Sequence, residues 1–153
     1  MGRATEEYLL KLKNIRSWEK VTHHGVLPHE QVGAILHTCA AGLAIVDYSD
    51  NSFGKIGTLG NTKLFEYMNA GIPVICTDFL LWKNIIEKWN CGICIPPRDP
   101  VSLQEAMRFM INNPDRAKEM GANGRRAVLE EFNWGIEEKK LLALYRKVSC
   151  SSD

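Results

Sequence analysis

Residues 60–78 read "GNTKLFEYMNAGIPVICTD", and this stretch decides the fold because it joins a short helix to a buried strand. The run IPVICT has the length of a strand and is almost wholly apolar, which is typical of a parallel strand buried on both faces. Two charges in the preceding helix need an explanation. Lys63 lies in the first turn, where the helix dipole disfavours a cation by about 0.3–1 kcal/mol. Glu66 lies between Phe65 and Tyr67, in a segment that otherwise reads as core.

Helices and apolar runs alternate on both sides of this stretch. The pattern predicts helices at 4–16, 28–39, 80–89, 99–112, 114–131 and 134–148, and further strands at 20–25, 42–48 and 91–97. Helices between buried strands indicate a Rossmann-like α/β fold with a parallel sheet and flanking helices. We therefore expect a single α/β domain over residues 1–153, with its ligand site beyond the carboxyl ends of the strands.

The composition excludes several classes of function. The 153 residues carry a net charge of +1, which gives no electrostatic argument for nucleic acid or for an anionic membrane surface. Five scattered cysteines, an odd number, favour free thiols in a reducing compartment. Cys91 and Cys94 are interpreted as buried small side chains rather than a redox or zinc pair, because residues three apart on a strand point to opposite faces. No metal site is predicted, since His29 and His37 have no supporting carboxylate at ligand spacing.

The candidate binding site is the glycine-rich loop "SDNSFGKIGTLG", residues 49–60, together with the helix that follows it. Free amides at a helix start bind anions, and a diphosphate there would be the partner of Lys63. Glu66, one turn further on, is then spaced to accept hydrogen bonds from ribose hydroxyls, at about 1.5–3 kcal/mol each. Lys63 and Glu66 are equally well spaced for a plain surface ion pair, worth at most about 1 kcal/mol. The residues alone leave both interpretations open.

The segment "NTKLFEYMNAGIPVICTD", residues 61–78, closely resembles the signature of GT-B glycosyltransferases of the retaining family 4, or group 1, type. Three further segments are similar to that family: "HHGVLPHEQVGAILHTCAAGLAIV" (23–46), "NCGICIPPRDPVSLQEAM" (90–107) and "MGANGRRAVLEEFNWGIEEKKLLALY" (120–145). The resemblance covers about residues 18 to 147. It implies the half of a glycosyltransferase that binds a nucleoside diphosphate sugar, UDP- or GDP-linked, with no other cofactor.

The resemblance also implies roles for individual residues. The amides of Asn61, Thr62 and Lys63 would meet the diphosphate, and Glu66 would hold the ribose. The base pocket would be lined by Gly25, Val26 and Leu27. Thr58 stands where many members carry a Glu that contacts the donor sugar, so it is included in the site together with Gly60. The catalytic residues stay unassigned.

By the same resemblance we expect an N-terminal, acceptor-binding half in the same or another chain. This chain resembles the second half from its middle onward, so we expect it to be incomplete for catalysis alone. A non-catalytic nucleotide-binding module and a subunit of a split glycosyltransferase are the alternatives, and a redox protein using Cys91 and Cys94 is a third. The expected location is the cytoplasm, including the inner face of the membrane, which the full-length enzyme would contact peripherally.

Overall fold

The structure, a computed structural model, describes residues 4–150 apart from the side chain of Cys150, and divides them into two compact units. The first unit ends at Thr38 and the second begins at Cys39. The first contains helix α1 (Glu6–Lys13), a 3₁₀ helix (Arg16–Lys20) and helix α2 (His29–Leu36). Helix α1 begins after Thr5, whose hydroxyl accepts a hydrogen bond from the Tyr8 amide at 3.3 Å.

The predicted strand at 20–25 is wrong. The backbone at Val21 is extended, yet residues 21–28 belong to no strand and the side chains of 21–24 are exposed. An extended segment becomes a strand only when its amides and carbonyls pair with a neighbouring strand. Here the Val21 amide donates instead to the carbonyl of Trp18, at 2.9 Å. The Trp18 ring lies 6.2 Å from that of His23. Local contacts therefore take the place of strand pairing.

The second unit has the predicted α/β architecture. Its elements are β1 (Gly42–Ala44), a 3₁₀ helix (Asp50–Ser52), α3 (Lys63–Asn69), β2 (Val74–Thr77), α4 (Leu80–Trp89), β3 (Gly92–Ile95), α5 (Pro100–Asn112), α6 (Pro114–Glu130) and α7 (Trp134–Cys150). The three strands form a parallel sheet in the order β1-β2-β3. The predicted parallel sheet with flanking helices is confirmed, and so are the helices of this unit.

Apolar side chains fill both faces of the sheet. One cluster joins Val74 and Cys76 of β2 to residues of α3, α4 and α6. The other joins Ile75 of β2 and Ile95 of β3 to residues of α5 and α6. All four residues of β2 are buried: Val74, Ile75 and Cys76 enter the two clusters alternately, and Thr77 follows them with its hydroxyl bonded to backbone. The prediction that β2 is buried on both faces is therefore confirmed.

Strand β1 is shorter and more exposed than predicted. It ends at Ala44 rather than at residue 48, and Leu43 is 43% exposed. Beyond Ala44, the Thr77 hydroxyl accepts from the Val46 amide at 2.8 Å and donates to the Val46 carbonyl at 2.7 Å. The Thr77 side chain thus makes the hydrogen bonds that the backbone of a neighbouring strand would otherwise make, and β1 ends. Among the described strands, β1 pairs with β2 alone, which explains its exposed positions.

Helix α3 packs against α6 at an unusually short distance. A Cβ added to Gly121 of α6 would lie 2.1 Å from the carbonyl oxygen of Gly71, just past the end of α3. Backbone therefore meets backbone at this point, with no room for a side chain. By contrast, no side chain between Trp134 and Ser149 of α7 is buried. Within the described part of the chain, no helix combines the length and apolarity that crossing a membrane would require.

Candidate functional site

The loops that follow β1 and β3 are joined at the carboxyl edge of the sheet by Asp47 and Arg98. Nε and Nη2 of Arg98 donate to the Asp47 carboxylate at 3.1 and 2.8 Å. This two-point contact holds the pKa of Asp47 below its ordinary value and that of Arg98 above its own. Both side chains are largely exposed, so the pair orders the edge of the site more than it stabilises the fold.

The loop after β1 is also tied to the end of β2. The hydroxyl of Tyr48 donates to Oδ1 of Asp78. This hydrogen bond, together with burial, raises the pKa of Tyr48 to about 12, because ionising the phenol would set it against the carboxylate. The carboxylates of Asp47 and Asp78 both lie at strand ends, where a metal-bound nucleotide could use them, and each is already engaged by a side chain of the protein.

Two aromatic side chains contact the glycine-rich loop: Trp82 of α4 and Phe79, the residue just before α4. Nε1 of Trp82 donates to the Thr58 carbonyl at 2.8 Å. Gly57 has a φ of +81°, and a Cβ there would lie 2.5 Å from Cβ of Phe79. Gly57 therefore serves close packing within the protein rather than close approach of a ligand. The Thr58 hydroxyl accepts from the Gly60 amide at 3.1 Å, which sets the turn that leads to α3.

The start of α3 is exposed and only partly capped. The Lys63 amide donates to Oδ1 of Asn61 at 3.3 Å, a long contact. Thr62 is the N-cap residue but its side chain caps no amide; its hydroxyl donates instead to Oε1 of Glu66 at 2.8 Å. Among the described residues, the amides of Asn61 and Thr62 have no acceptor. These two donors add to the amides of Leu64 and Phe65 in the first turn, which also have no acceptor among the described residues.

The contacts of Glu66 bear on one of the two interpretations of its spacing from Lys63, the surface ion pair. No ion pair joins the two side chains in the described structure. Glu66 is half-buried and turned toward Thr62, so its carboxylate lies beside the start of the helix, while Lys63 is exposed. The surface ion pair is therefore wrong. What remains is a cation, free amides and a carboxylate within one helical turn, a set that suits an anion next to hydroxyl groups.

The other predicted residues lie in the first unit. Gly25 has a φ of +64° and open space where a Cβ would be, Val26 is exposed and Leu27 is half-buried. All three belong to the segment between the 3₁₀ helix and α2. Their role at the base of a nucleotide stays a prediction.

The described cysteines 39, 76, 91 and 94 form no disulfide. Cys91 is fully buried, and burial raises its pKa to about 12, which confirms its interpretation as a core residue. Cys94 approaches Cys76 of the neighbouring strand rather than Cys91. No group of three or more His, Cys, Asp or Glu side chains within residues 4–149 could hold a metal ion.

Sequence reasoning missed three features of this edge: the pairing of Tyr48 with Asp78, that of Asp47 with Arg98, and the approach of Cys76 to Cys94. The partners are 30, 51 and 18 residues apart in the chain, so no local periodicity reveals them. The available signal was topological. Side chains at corresponding positions of neighbouring parallel strands, or just beyond their carboxyl ends, lie close together.

Comparison with known proteins gives a family. Residues 2–127 match the family model described as glycosyl transferases group 1. A sucrose-phosphate synthase from Thermosynechococcus elongatus has a similar structure, with a TM-score of 0.75 over 95% of this chain and 34% of that chain. The two sequences are 24% identical, so this likeness shows the fold alone.

Two curated relatives match shorter regions. The alpha-maltose-1-phosphate synthase of Mycolicibacterium smegmatis is 45% identical over 48 residues, which are 31% of this chain and 12% of that protein. The phosphatidyl-myo-inositol mannosyltransferase of Mycobacterium leprae is 25% identical over 88 residues, 58% of this chain and 23% of that protein. The matched regions thus span less than a quarter of either relative.

Proposed function

Because the chain belongs to the glycosyl transferases group 1 family, we propose that it binds the nucleoside diphosphate sugar donor of a glycosyl-transfer reaction at the start of α3. One observation carries this proposal: Glu66 turns toward the start of the helix through Thr62 and leaves Lys63 without a carboxylate partner. A lysine at the positive end of a helix is unfavourable unless an anion joins it. A bound diphosphate would supply that anion.

In this proposal the amides of Asn61 and Thr62 and the ammonium group of Lys63 hold the diphosphate, with the Lys63 amide in support. Negative charge grows on the leaving diphosphate as the glycosidic bond to the nucleotide breaks. Fixed amides and a fixed cation stabilise that charge without having to reorganise, which is how such sites lower a barrier. The chemistry asks for no cofactor beyond the donor itself.

Glu66 would accept hydrogen bonds from the ribose. The Thr62 hydroxyl occupies Oε1, and no protein group is bonded to Oε2 among the described residues. The carboxylate is thereby held in one orientation with acceptor capacity to spare. We further propose that Thr58 and Gly60 face the donor sugar, and that Gly25, Val26 and Leu27 contact the base.

The donor class is a UDP- or GDP-linked hexose. One relative is named a mannosyltransferase and another a synthase of a sugar phosphate, so a hexosyl group is the first to test. Polysaccharide biosynthesis is the corresponding process. We propose that an acceptor-binding half, in the same or another chain, completes the enzyme, and that it works in the cytoplasm, including the inner face of the membrane.

The test is titration of the wild type and Glu66→Gln with UDP and GDP by isothermal calorimetry. Loss of one charged acceptor should weaken binding by about 1–3 kcal/mol. Because the shape of the side chain is kept, thermal unfolding without ligand should change little. Glu137→Gln, on the exposed helix α7, is the matched control and should bind like the wild type.

The 2′-deoxy nucleotide separates a ribose contact from a general loss of charge. It should bind the wild type more weakly than the ribonucleotide does, yet bind Glu66→Gln with little further loss, because both changes remove the same hydrogen bond. Equal affinity of all three proteins for UDP and GDP would end the claim that α3 begins the donor site. A transfer assay with a hexose donor and added acceptor-binding half then separates an enzyme from a non-catalytic nucleotide-binding module.

A further inference from the structure

Cys76 and Cys94 face each other across two neighbouring strands. They are register partners in the parallel pairing of β2 with β3, and their sulfur atoms are 3.7 Å apart. Neighbouring strands lie about 4.7–4.9 Å apart, and disulfides usually join residues whose Cα atoms are about 4.4–6.8 Å apart. The two thiols can therefore form a disulfide by rotation of their side chains, with the sheet left in its present register.

The two thiols differ in their access to solvent. Cys76 is fully buried, and its contact with Cys94, together with burial, raises its pKa well above the ordinary value. Cys94 is half-buried and lines a surface cavity of about 520 Å³, together with Lys83, Glu87 and Asp78. A small molecule can reach Cys94 from this cavity, whereas Cys76 is closed to solvent and its sulfur contacts that of Cys94.

We propose that Cys94 is a site of thiol–disulfide exchange with low-molecular-weight disulfides, and that Cys76 is its resolving thiol. The Cys94 thiolate attacks one sulfur of the disulfide, which breaks the sulfur–sulfur bond and releases one thiolate. Cys76 passes its proton to the released thiolate and attacks Cys94 of the mixed disulfide, which forms the Cys76–Cys94 bond and releases the second thiolate. Two protein thiols are oxidised and one small disulfide is reduced to two thiols, so atoms and electrons balance.

Cys91 is not part of this pair, although it lies only three residues from Cys94. It is fully buried, and a Cβ added to Gly124 of α6 would lie 3.4 Å from its own Cβ, so helix α6 covers it closely. The proposed linkage therefore follows the register of the sheet and not the Cys-x-x-Cys spacing of the sequence.

The experiment is incubation of the reduced, native protein with oxidised glutathione, followed by alkylation, tryptic digestion and mass spectrometry. Trypsin places Cys76 in the peptide 64–83 and both Cys91 and Cys94 in the peptide 89–98. We expect these two peptides to become disulfide-linked, and alkylation of Cys94 to be lost as the linkage forms. Fragmentation of the linked pair should place the bond at Cys94.

Three variants sharpen the result. Cys76→Ala should accumulate a stable glutathionyl group on Cys94, Cys94→Ala should leave Cys76 unmodified, and Cys91→Ala should behave like the wild type. The wild-type peptide map decides the question even where a variant does not fold. A map in which peptide 89–98 stays unmodified while the peptide of the half-buried Cys39 reacts would overturn the proposal. So would linkage of 64–83 to 89–98 that appears only in denaturant.

Discussion

At its carboxyl end, helix α3 is closed by the protein itself. Gly71 takes a φ of +73°, its amide donates to the Met68 carbonyl at 3.0 Å, and the Ile72 amide donates to the Tyr67 carbonyl at 3.2 Å. These are the two hydrogen bonds of a Schellman motif. Nη1 of Arg125 then donates to the remaining carbonyl of Asn69, at 2.6 Å.

At its amino end the same helix is left open. The amides of Asn61 and Thr62 have no acceptor in the described structure, and Lys63 adds a positive charge at the positive pole of the helix. Helices α2 and α6 also begin without a side-chain cap, so what distinguishes α3 is the lysine in its first turn, which has no carboxylate partner among the described residues. The carboxyl end of α3 is thus closed by contacts within the fold, whereas the amino end is where we propose that the donor binds. Substitutions at the two ends should therefore affect different measurements.

The largest effect is expected where α6 meets the carboxyl end of α3. In Gly121→Ala the new Cβ would lie 2.1 Å from the Gly71 carbonyl oxygen, and only a shift of backbone can relieve that contact. We expect a loss of about 3 kcal/mol in the free energy of unfolding. Urea denaturation followed by circular dichroism measures it.

Gly124→Ala is the matched control, because it makes the same change three residues later in the same helix. Its Cβ would lie 3.3 Å or more from its neighbours, the nearest being the side chain of Met68. Both variants gain the same helix propensity, about 0.5–1 kcal/mol. The difference between them therefore measures the backbone contact, and equal stabilities would show that α6 can shift away from α3 freely.

A smaller effect is expected at Arg125. In Arg125→Ala the Asn69 carbonyl loses a charged donor at the negative pole of α3. Because the Arg125 side chain is exposed, we expect a loss of only about 1 kcal/mol in unfolding free energy. Arg125→Lys keeps the charge and should recover part of that loss. Nucleotide affinity should not change in either variant, and a parallel loss of affinity would contradict the separation of the two ends.

The sequence was sufficient to predict most elements of the second unit. The helix and strand within residues 61–78 and the helices predicted at 80–89 and 99–112 follow from local patterns that the structure satisfies. The local sequence pattern gave wrong predictions where pairing with a neighbouring strand determines whether a strand forms and where it ends. Residues 20–25 have no strand partner among the described residues, and β1 ends early because the Thr77 side chain takes over its pairing.

The candidate site was predictable in part for the same reason. Lys63 and Glu66 are separated by one turn of one helix, so their proximity to the helix start follows from spacing alone. Whether the two side chains form an ion pair could not be predicted from the spacing, which allows one. In the structure the Glu66 carboxylate accepts a hydrogen bond from Thr62 instead. The contacts of Tyr48, Arg98 and Cys94 depend on which strands are neighbours. The order of strands comes from packing of the whole domain, and no short segment encodes it.

The smallest effect on stability is expected at Lys63, which is also the sharpest test of the difference between the two ends of α3. In Lys63→Ala the helix loses a cation from its positive pole, so without ligand the unfolding free energy should stay the same or rise by about 0.3–1 kcal/mol. With UDP or GDP the sign should reverse, because the same variant loses a partner of the diphosphate. That loss of affinity should shrink as salt rises, since screening weakens the contact in the wild type.

Lys118→Ala, which removes an exposed lysine of α6, takes away one charge elsewhere and should show neither effect. If Lys63→Ala instead lowered the stability of the free protein and left nucleotide affinity unchanged, the amino end of α3 would be as structural as the carboxyl end. Thermal unfolding and calorimetry at low and high salt, on the same three proteins, decide between the two outcomes.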